Sequence, residues 1–366
     1  MGRAERARWE GNDRATELVT ESRKRDLTPE EIDEVKRGYT GYGGLTVSNG
    51  QFFTPAVVTE FVINLLGLEE GGTGHVLEPS CGAGAFLNTI PKSYTTTAVE
   101  MMNEASAVAR LCFPHARVLQ ENTLEILPEL EGIYDYVIGN PPFMAMKHSP
   151  ELVGFEIARF LGKAEWYFIE LASKALKPGG FCAFVVPDGI LGNSKDQPGR
   201  KWLMEANWLR AVISLPRETF YHVGTSVKTS VIIFQKRIPG IEIADYQVLM
   251  GVANEIGWDS RGRPTGKCDL PEMLDCWRKM KDRWTETEDR ADPEELAVKA
   301  IPEEQAIPEE QEDPGKFVEV QLDLSSIQLL IRHMLQPVAI GAPNAAHSWQ
   351  PPSLSLEAGH GDRSAD

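Results

Sequence analysis

The sequence predicts an α/β fold: a mostly parallel seven-stranded sheet covered by helices on both faces. Three observations predict it. Between residues 75 and 235, seven short apolar runs alternate with helix-like stretches, the pattern that parallel strands joined by crossover helices produce. A glycine-containing turn, LEPSCGAGAFL over residues 77–87, follows the first of these runs. A later run stops at Asn140-Pro141-Pro142, where the chain must leave the sheet because neither proline can donate to a ladder.

Taken in order, residues 1–37 read as one or two polar helices. Thr28-Pro29-Glu30-Glu31 has the composition of a helix start, with Thr at the cap, Pro in the first turn and acids near the positive end of the dipole. YTGYGGL, residues 39–45, is too rich in glycine for a regular element and reads as a loop. A helix follows Thr54-Pro55, with Val57, Val58, Phe61, Val62, Leu65 and Leu66 on one face. The expected strands are 75–78, 97–100, 117–120, 134–139, 181–187, 211–215 and 230–235, and the expected helices 84–90, 103–111, 163–176 and 198–207. Lys177-Pro178-Gly179-Gly180 closes the third of those helices and turns the chain into a strand. Beyond residue 240 the pattern weakens. A helix over 268–285 would hold Trp277 and Trp284, and 322–335 has the spacing of a short amphipathic helix. Residues 286–315, with their tandem AIPEEQAIPEEQ, read as disordered linker, and the last thirty residues as unstructured. The expected organisation is therefore a helical N-terminal extension (1–50), a main domain (51–236), a small C-terminal extension (237–285) and an acidic, largely disordered tail (286–366).

Composition removes several function classes. No apolar run is long enough to span a bilayer, and the N-terminus mixes both charge signs without an apolar core, so no membrane role and no secretory signal are expected. Five cysteines at irregular spacing fit reduced thiols in a cytoplasm better than a disulfide framework, and no clustered Cys/His set suggests a metal. The net charge of −17 looks awkward for a chain that would bind phosphates. Residues 286–366 hold 17 acids against 5 bases, however, a balance of −12 that leaves only −5 for the first 285 residues. The charge describes mainly the tail.

Glycines in a strand-to-helix turn let the backbone approach a ligand with no β-carbon in the way. Leu87 occupies the place where GxGxxG needs its third glycine, which disfavours a pyrophosphate site. Glu100 ends the next strand, where a carboxylate can accept both ribose hydroxyls of a nucleoside; a solvated, helix-capping acid is the plainer alternative. Asn140 stands at its strand end 62 residues after Glu78, beside the same switch point of the sheet. Read alone, Asn-Pro-Pro is equally an ordinary turn.

Together these residues resemble the amino-group DNA methyltransferases. LEPSCGAGAFL looks like their motif I, and AVE (98–100) like motif II. Gly50-Gln51-Phe52-Phe53-Thr54-Pro55 is similar to motif X, and Asn140-Pro141-Pro142-Phe143 to motif IV. ASKALKPGGFCAFVVPD (172–188) resembles motifs V and VI, and LPRETFYHVGTSVKTSVIIF (215–234) motif VIII of type I modification subunits. Motif X before motif I before motif IV is the order of the gamma group. The resemblance implies a Rossmann-like class I S-adenosylmethionine methyltransferase fold, with the cofactor held by Phe53, Thr54, Pro55, Glu78, Pro79, Ser80, Gly82, Gly84, Glu100 and Asn122. It also implies that Asn140, Pro141, Pro142 and Phe143 act on an adenine flipped out of double-stranded DNA, flanked by Phe220, Tyr221 and Lys228, with Lys228 meeting phosphate. The Asn140 side-chain oxygen and the Pro141 carbonyl would accept the two amino N–H bonds of the base, and Phe143 would stack on it.

Asn-Pro-Pro-Phe accompanies adenine N6 methylation in this family. Some Asn-Pro-Pro enzymes act instead on RNA or on protein glutamine, and a chain that kept the fold without turnover would be a DNA-binding or assembly subunit. Two departures stand out. Asn122 occupies the motif III position where the family usually has aspartate, although an amide still offers an acceptor oxygen. The sizeable target-recognition domain that usually follows has little counterpart here, so a separate specificity or restriction chain is an expected partner, or residues 240–285 do that work.

Overall fold

The computed structural model describes residues 3–40, 53–241, 246–288 and 317–321. The N-terminal residues form two helices, α1 (Arg3–Glu21) and α2 (Pro29–Gly38). Thr28 caps α2 through a full capping box, its hydroxyl accepting from the Glu31 amide while the Glu31 carboxylate accepts from the Thr28 amide. The helices cross at glycines: a β-carbon on Gly38 would stand 2.8 Å from the Gly11 carbonyl oxygen. α3 (Ala56–Leu66) starts after Pro55 and stops at Gly67, which takes the left-handed conformation.

The sheet follows: β1 (His75–Glu78), β2 (Thr95–Val99), β3 (Arg117–Leu119), β4 (Tyr134–Gly139), β5 (Leu176–Pro187), β6 (Asn207–Ser214), β7 (Thr229–Lys236), β8 (Gln247–Val252) and β11 (Phe317–Gln321). Its order is β11-β8-β6-β7-β5-β4-β1-β2-β3. The seven strands expected from sequence are all there, from β3 to β6. β1–β5 pair in parallel, and β7 runs antiparallel between β5 and β6. The chain after 237 extends this sheet: β8 adds in parallel to β6, and β11 closes the edge antiparallel to β8. A separate hairpin, β9 (Ile256–Trp258) with β10 (Pro264–Cys268), follows β8.

Alternate strand residues feed two apolar layers, as the pleat requires. Val76, Ala98, Ile138, Ala183 and Val185 meet the layer containing α1–α3, α4 (Asn103–Cys112) and α10 (Leu270–Glu288). Leu77, Val99, Val137, Cys182, Phe184 and Val186 meet the opposite one, with α5 (Leu127–Leu130), α6 (Ile157–Leu161), α7 (Ala164–Ala175), α8 (Asp188–Gly192) and α9 (Gln197–Ala206). α10 is tied in by Trp277, which is buried and donates its indole N–H to the Leu65 carbonyl at 2.6 Å.

Two sequence expectations are corrected. Residues 84–90 form consecutive turns rather than a helix. Gly84 opens them at φ +94° and Pro91 follows Ile90, so too few residues remain to repay nucleation; Thr89 also turns its hydroxyl onto the Phe86 carbonyl. Lys177-Pro178-Gly179-Gly180 turns the chain as expected but lies inside β5 as a bulge, between the pairs Tyr134↔Leu176 and Tyr136↔Phe181, with Gly179 at φ +83°. The loop after Thr40, the linker after Glu288 and the 322–335 helix fall outside the described residues.

Candidate active site

Three strand ends build the site, all at the carboxyl edge where ligands of open α/β sheets bind. β1 delivers Glu78-Pro79-Ser80, β2 delivers Glu100, and β4 delivers Asn140. Between them lies a cleft of about 510 Å³, bounded also by α7 through Phe168 and by Tyr39 and Phe53, whose rings meet edge to face at 6.1 Å.

The turn after β1 is shaped for a ligand. Gly82 has φ +54°, and a β-carbon there would find only the Phe53 ring, at 3.9 Å. The Gly82 amide donates to one Glu100 oxygen at 2.9 Å, and the Met102 amide to the other at 2.7 Å. Each oxygen keeps a second lone pair, so this carboxylate can still accept a pair of vicinal hydroxyls. Thr123 donates its hydroxyl to the Pro79 carbonyl and locks the turn to the loop after β3.

Burial raises the Glu78 carboxyl well above the usual carboxylate range, and the Glu100 charge adds to the shift. Burial also raises Glu100, against the opposing pull of its backbone donors. Two acids thus face one cleft in which no Lys or Arg stands among the described lining residues. Among the described residues, Glu78 Oε2 and Ser80 Oγ are buried without a hydrogen-bond partner. Buried polar atoms in that condition cost energy unless a ligand meets them, and a cationic nucleoside with amino and hydroxyl groups suits both the charge and the vacant acceptors.

The structure brings together Phe53, Thr54, Glu78, Pro79, Ser80, Gly82, Glu100, Asn122, Asn140 and Pro142 on the cleft wall. Asn122 spends part of its amide locally, accepting from the Leu124 amide at 3.2 Å and donating to Glu125 at 2.7 Å. Other expected residues stand elsewhere. Pro55 caps α3, and Gly84 is a packing glycine, because a β-carbon on it would strike the Phe113 ring at 2.5 Å. Pro141 is buried and is not among the residues that line the cleft, and Phe143 is half-buried against the α3-side apolar layer. Phe220 is 1% exposed and belongs to that core, so it is no wall for a base; Tyr221 beside it is exposed. Lys228 pairs with Asp188 at 3.7 Å. Sequence reasoning missed Met101, Met102, Tyr39 and Phe168. Met101, 62% exposed, follows the strand-end acid directly, where a flexible thioether can cover a planar ring.

The model of the N-6 DNA Methylase family matches residues 45–320. The chain belongs to this family. The chain is 27% identical over 239 residues to the defense against restriction protein B of Escherichia phage P1, covering 63% of the present chain and 10% of that one. It is 24% identical over 250 residues to the methylase subunit of the type I restriction enzyme EcoEI of Escherichia coli, covering 62% and 50%. The chain thus spans half the length of that methylase subunit and a tenth of the phage protein. Among solved structures, a Listeria monocytogenes protein described as a class I S-adenosylmethionine-dependent methyltransferase superposes with a TM-score of 0.58 at 18% identity, covering 75% of this chain and 98% of that one. A type I modification subunit from Vibrio vulnificus gives 0.56 at 19%, covering 70% and 59%. These likenesses show the fold, that of class I methyltransferases.

Proposed function

We propose that this chain transfers a methyl group from S-adenosylmethionine to the N6 amino nitrogen of adenine in double-stranded DNA. The observation that carries the reading is the position of Asn140: the end of β4 holds it on the wall of the same cleft that Glu78, Ser80, Gly82 and Glu100 line. Membership of the N-6 DNA methylase family supports adenine as the target. Bound there, S-adenosylmethionine supplies an electrophilic methyl group.

The chain's own residues do the rest. Glu100 receives the ribose hydroxyls, Glu78 and Ser80 receive the polar groups of the amino-acid part, and Met101 covers the cofactor's purine. Asn140 accepts one N–H of the target amine and the Pro141 carbonyl the other. These bonds draw the nitrogen out of conjugation and aim its lone pair into the cleft, so positioning provides much of the rate. No strong base is required, because the amine becomes acidic once alkylated and releases its proton to water. Phe143, three residues after Asn140, supplies a ring for the extruded base. A specificity or restriction chain as partner, and a cytoplasmic location, belong to the same proposal.

The test is direct. Incubation with methyl-labelled cofactor and duplex DNA, followed by digestion to nucleosides, is expected to place the label in N6-methyladenosine's deoxy form. Label found only in RNA or in protein glutamine would overturn the DNA reading.

A further inference from the structure

The carboxyl edge of the sheet continues past the cleft. β6 ends at Ser214 and passes through Leu215-Pro216 into a 3-10 helix, Arg217–Val223. β8, parallel to β6, ends beside it and leads into the β9–β10 hairpin. Hairpin and 3-10 helix are fastened together. The Trp258 indole donates to the Glu218 carbonyl at 2.7 Å, and the His222 ring meets Trp258 edge-on at 5.1 Å. Gly262 lies so close to Tyr221 that a β-carbon there would stand 2.5 Å from the ring.

Most of the outer strand of this hairpin stands clear of the core: Pro264 through Lys267 are exposed, and Cys268 at its end packs against the apolar layer. A two-stranded ribbon has little stability of its own, so the fastening at Trp258 holds it in place. Its charge runs against that of the molecule. Arg261, Arg263 and Lys267 project from it; Asp259 pairs with the Arg263 guanidinium at 2.6 Å and accepts from the Arg261 backbone amide, and the Arg261 and Lys267 side chains have no ion pair among the described residues. On a chain of net charge −17, this is a cationic projection beside an exposed Tyr221.

Its placement names the partner. Three strand spacings separate β4 from β6 and a fourth reaches β8, which puts the hairpin root about 14–19 Å from Asn140 along one edge. That span equals about four to six base pairs at 3.4 Å each. Resting on the methyl-transfer reading above, we propose that the hairpin of residues 256–268 is a DNA-docking arm that meets the phosphate backbone a few base pairs from the extruded adenine. It gives an otherwise acidic chain an electrostatic hold on the duplex.

The test uses the full chain and the double variant Arg261→Ala/Lys267→Ala, with fluorescence anisotropy of a labelled duplex over a salt series. Loss of two phosphate contacts should flatten the log–log salt slope by about 2, so that wild type loses about tenfold more affinity than the variant between 50 and 200 mM salt. KM for DNA should rise, while kcat, thermal midpoint and binding of S-adenosylhomocysteine stay unchanged. An unchanged slope and affinity would overturn the arm, as would a wild type that binds no duplex, including one that binds an acidic protein instead. A flattened slope in a protein whose wild type makes no N6-methyladenine would uphold the arm and sink the chemistry assigned above.

Discussion

Glu78 and Glu100 meet from adjacent strand ends, and the cost of that meeting is visible in their protonation. Burial raises both, and the Glu100 charge raises Glu78 further. A cationic ligand in the cleft favours the ionised carboxylates, so binding must lower their proton affinity and release protons. Cofactor affinity should therefore rise with pH through the range where these acids titrate. Calorimetry with S-adenosylmethionine in two buffers of different ionisation heat should give different apparent enthalpies; identical heats would contradict this account of the pair. Glu78, Glu100 and Asn140 were all legible in the sequence, because each sits where a predicted strand ends and chemistry limits the residue type. Phe220 was not. An aromatic residue near a site reads the same whether it faces a ligand or the core, and here packing took it. Met101 escaped notice because nothing in a methionine's identity marks a ligand contact.

At the scale of elements, the segment after Asn140-Pro141-Pro142-Phe143 is anchored to α7. The Ala164 amide donates to the Met144 carbonyl at 2.9 Å, and Asp196 binds both Lys163, at 2.6 Å, and the Trp166 indole, at 2.7 Å. Glu165 lies among these groups, and burial pushes its carboxyl up to about 6, from 4.5. The raised value means that folding favours the protonated acid. That contribution is complete below pH 4.5 and is lost as pH rises through about 6. Glu165→Gln should accordingly stabilise the fold by up to about 2 kcal/mol above pH 6 and by little below pH 4.5, read as thermal midpoints across pH. An advantage independent of pH would contradict it. α10 gives a second prediction. Trp277→Ala removes a buried ring and the donor to Leu65, and should cost about 3–5 kcal/mol in denaturant unfolding. A cost under 1 kcal/mol would mean that α10 is not part of the core. The sequence announced this helix and most strands through their periodicity. It misled over 84–90, where apolar spacing resembles a helix but Gly84 and Pro91 leave too short a run.

For the whole molecule, a mostly parallel sheet of seven strands was legible in the sequence, whereas the strand order and the added β8 and β11 were not. β11 pairs with β8 across residues that read as polar linker, and pairing over such a separation leaves no local signature. The central claim concerns the chain as a unit: fold, cleft and Asn140 together mark adenine in DNA. Modification-sensitive sequencing of genomic DNA from cells expressing wild type or Asn140→Ala tests it most directly. The account predicts N6-methyladenine at a defined sequence with the wild type and its loss with the variant, while the variant still folds and binds S-adenosylhomocysteine. An adenine mark that persists in Asn140→Ala, or a folded, cofactor-binding wild type that leaves adenine unmarked, would contradict it.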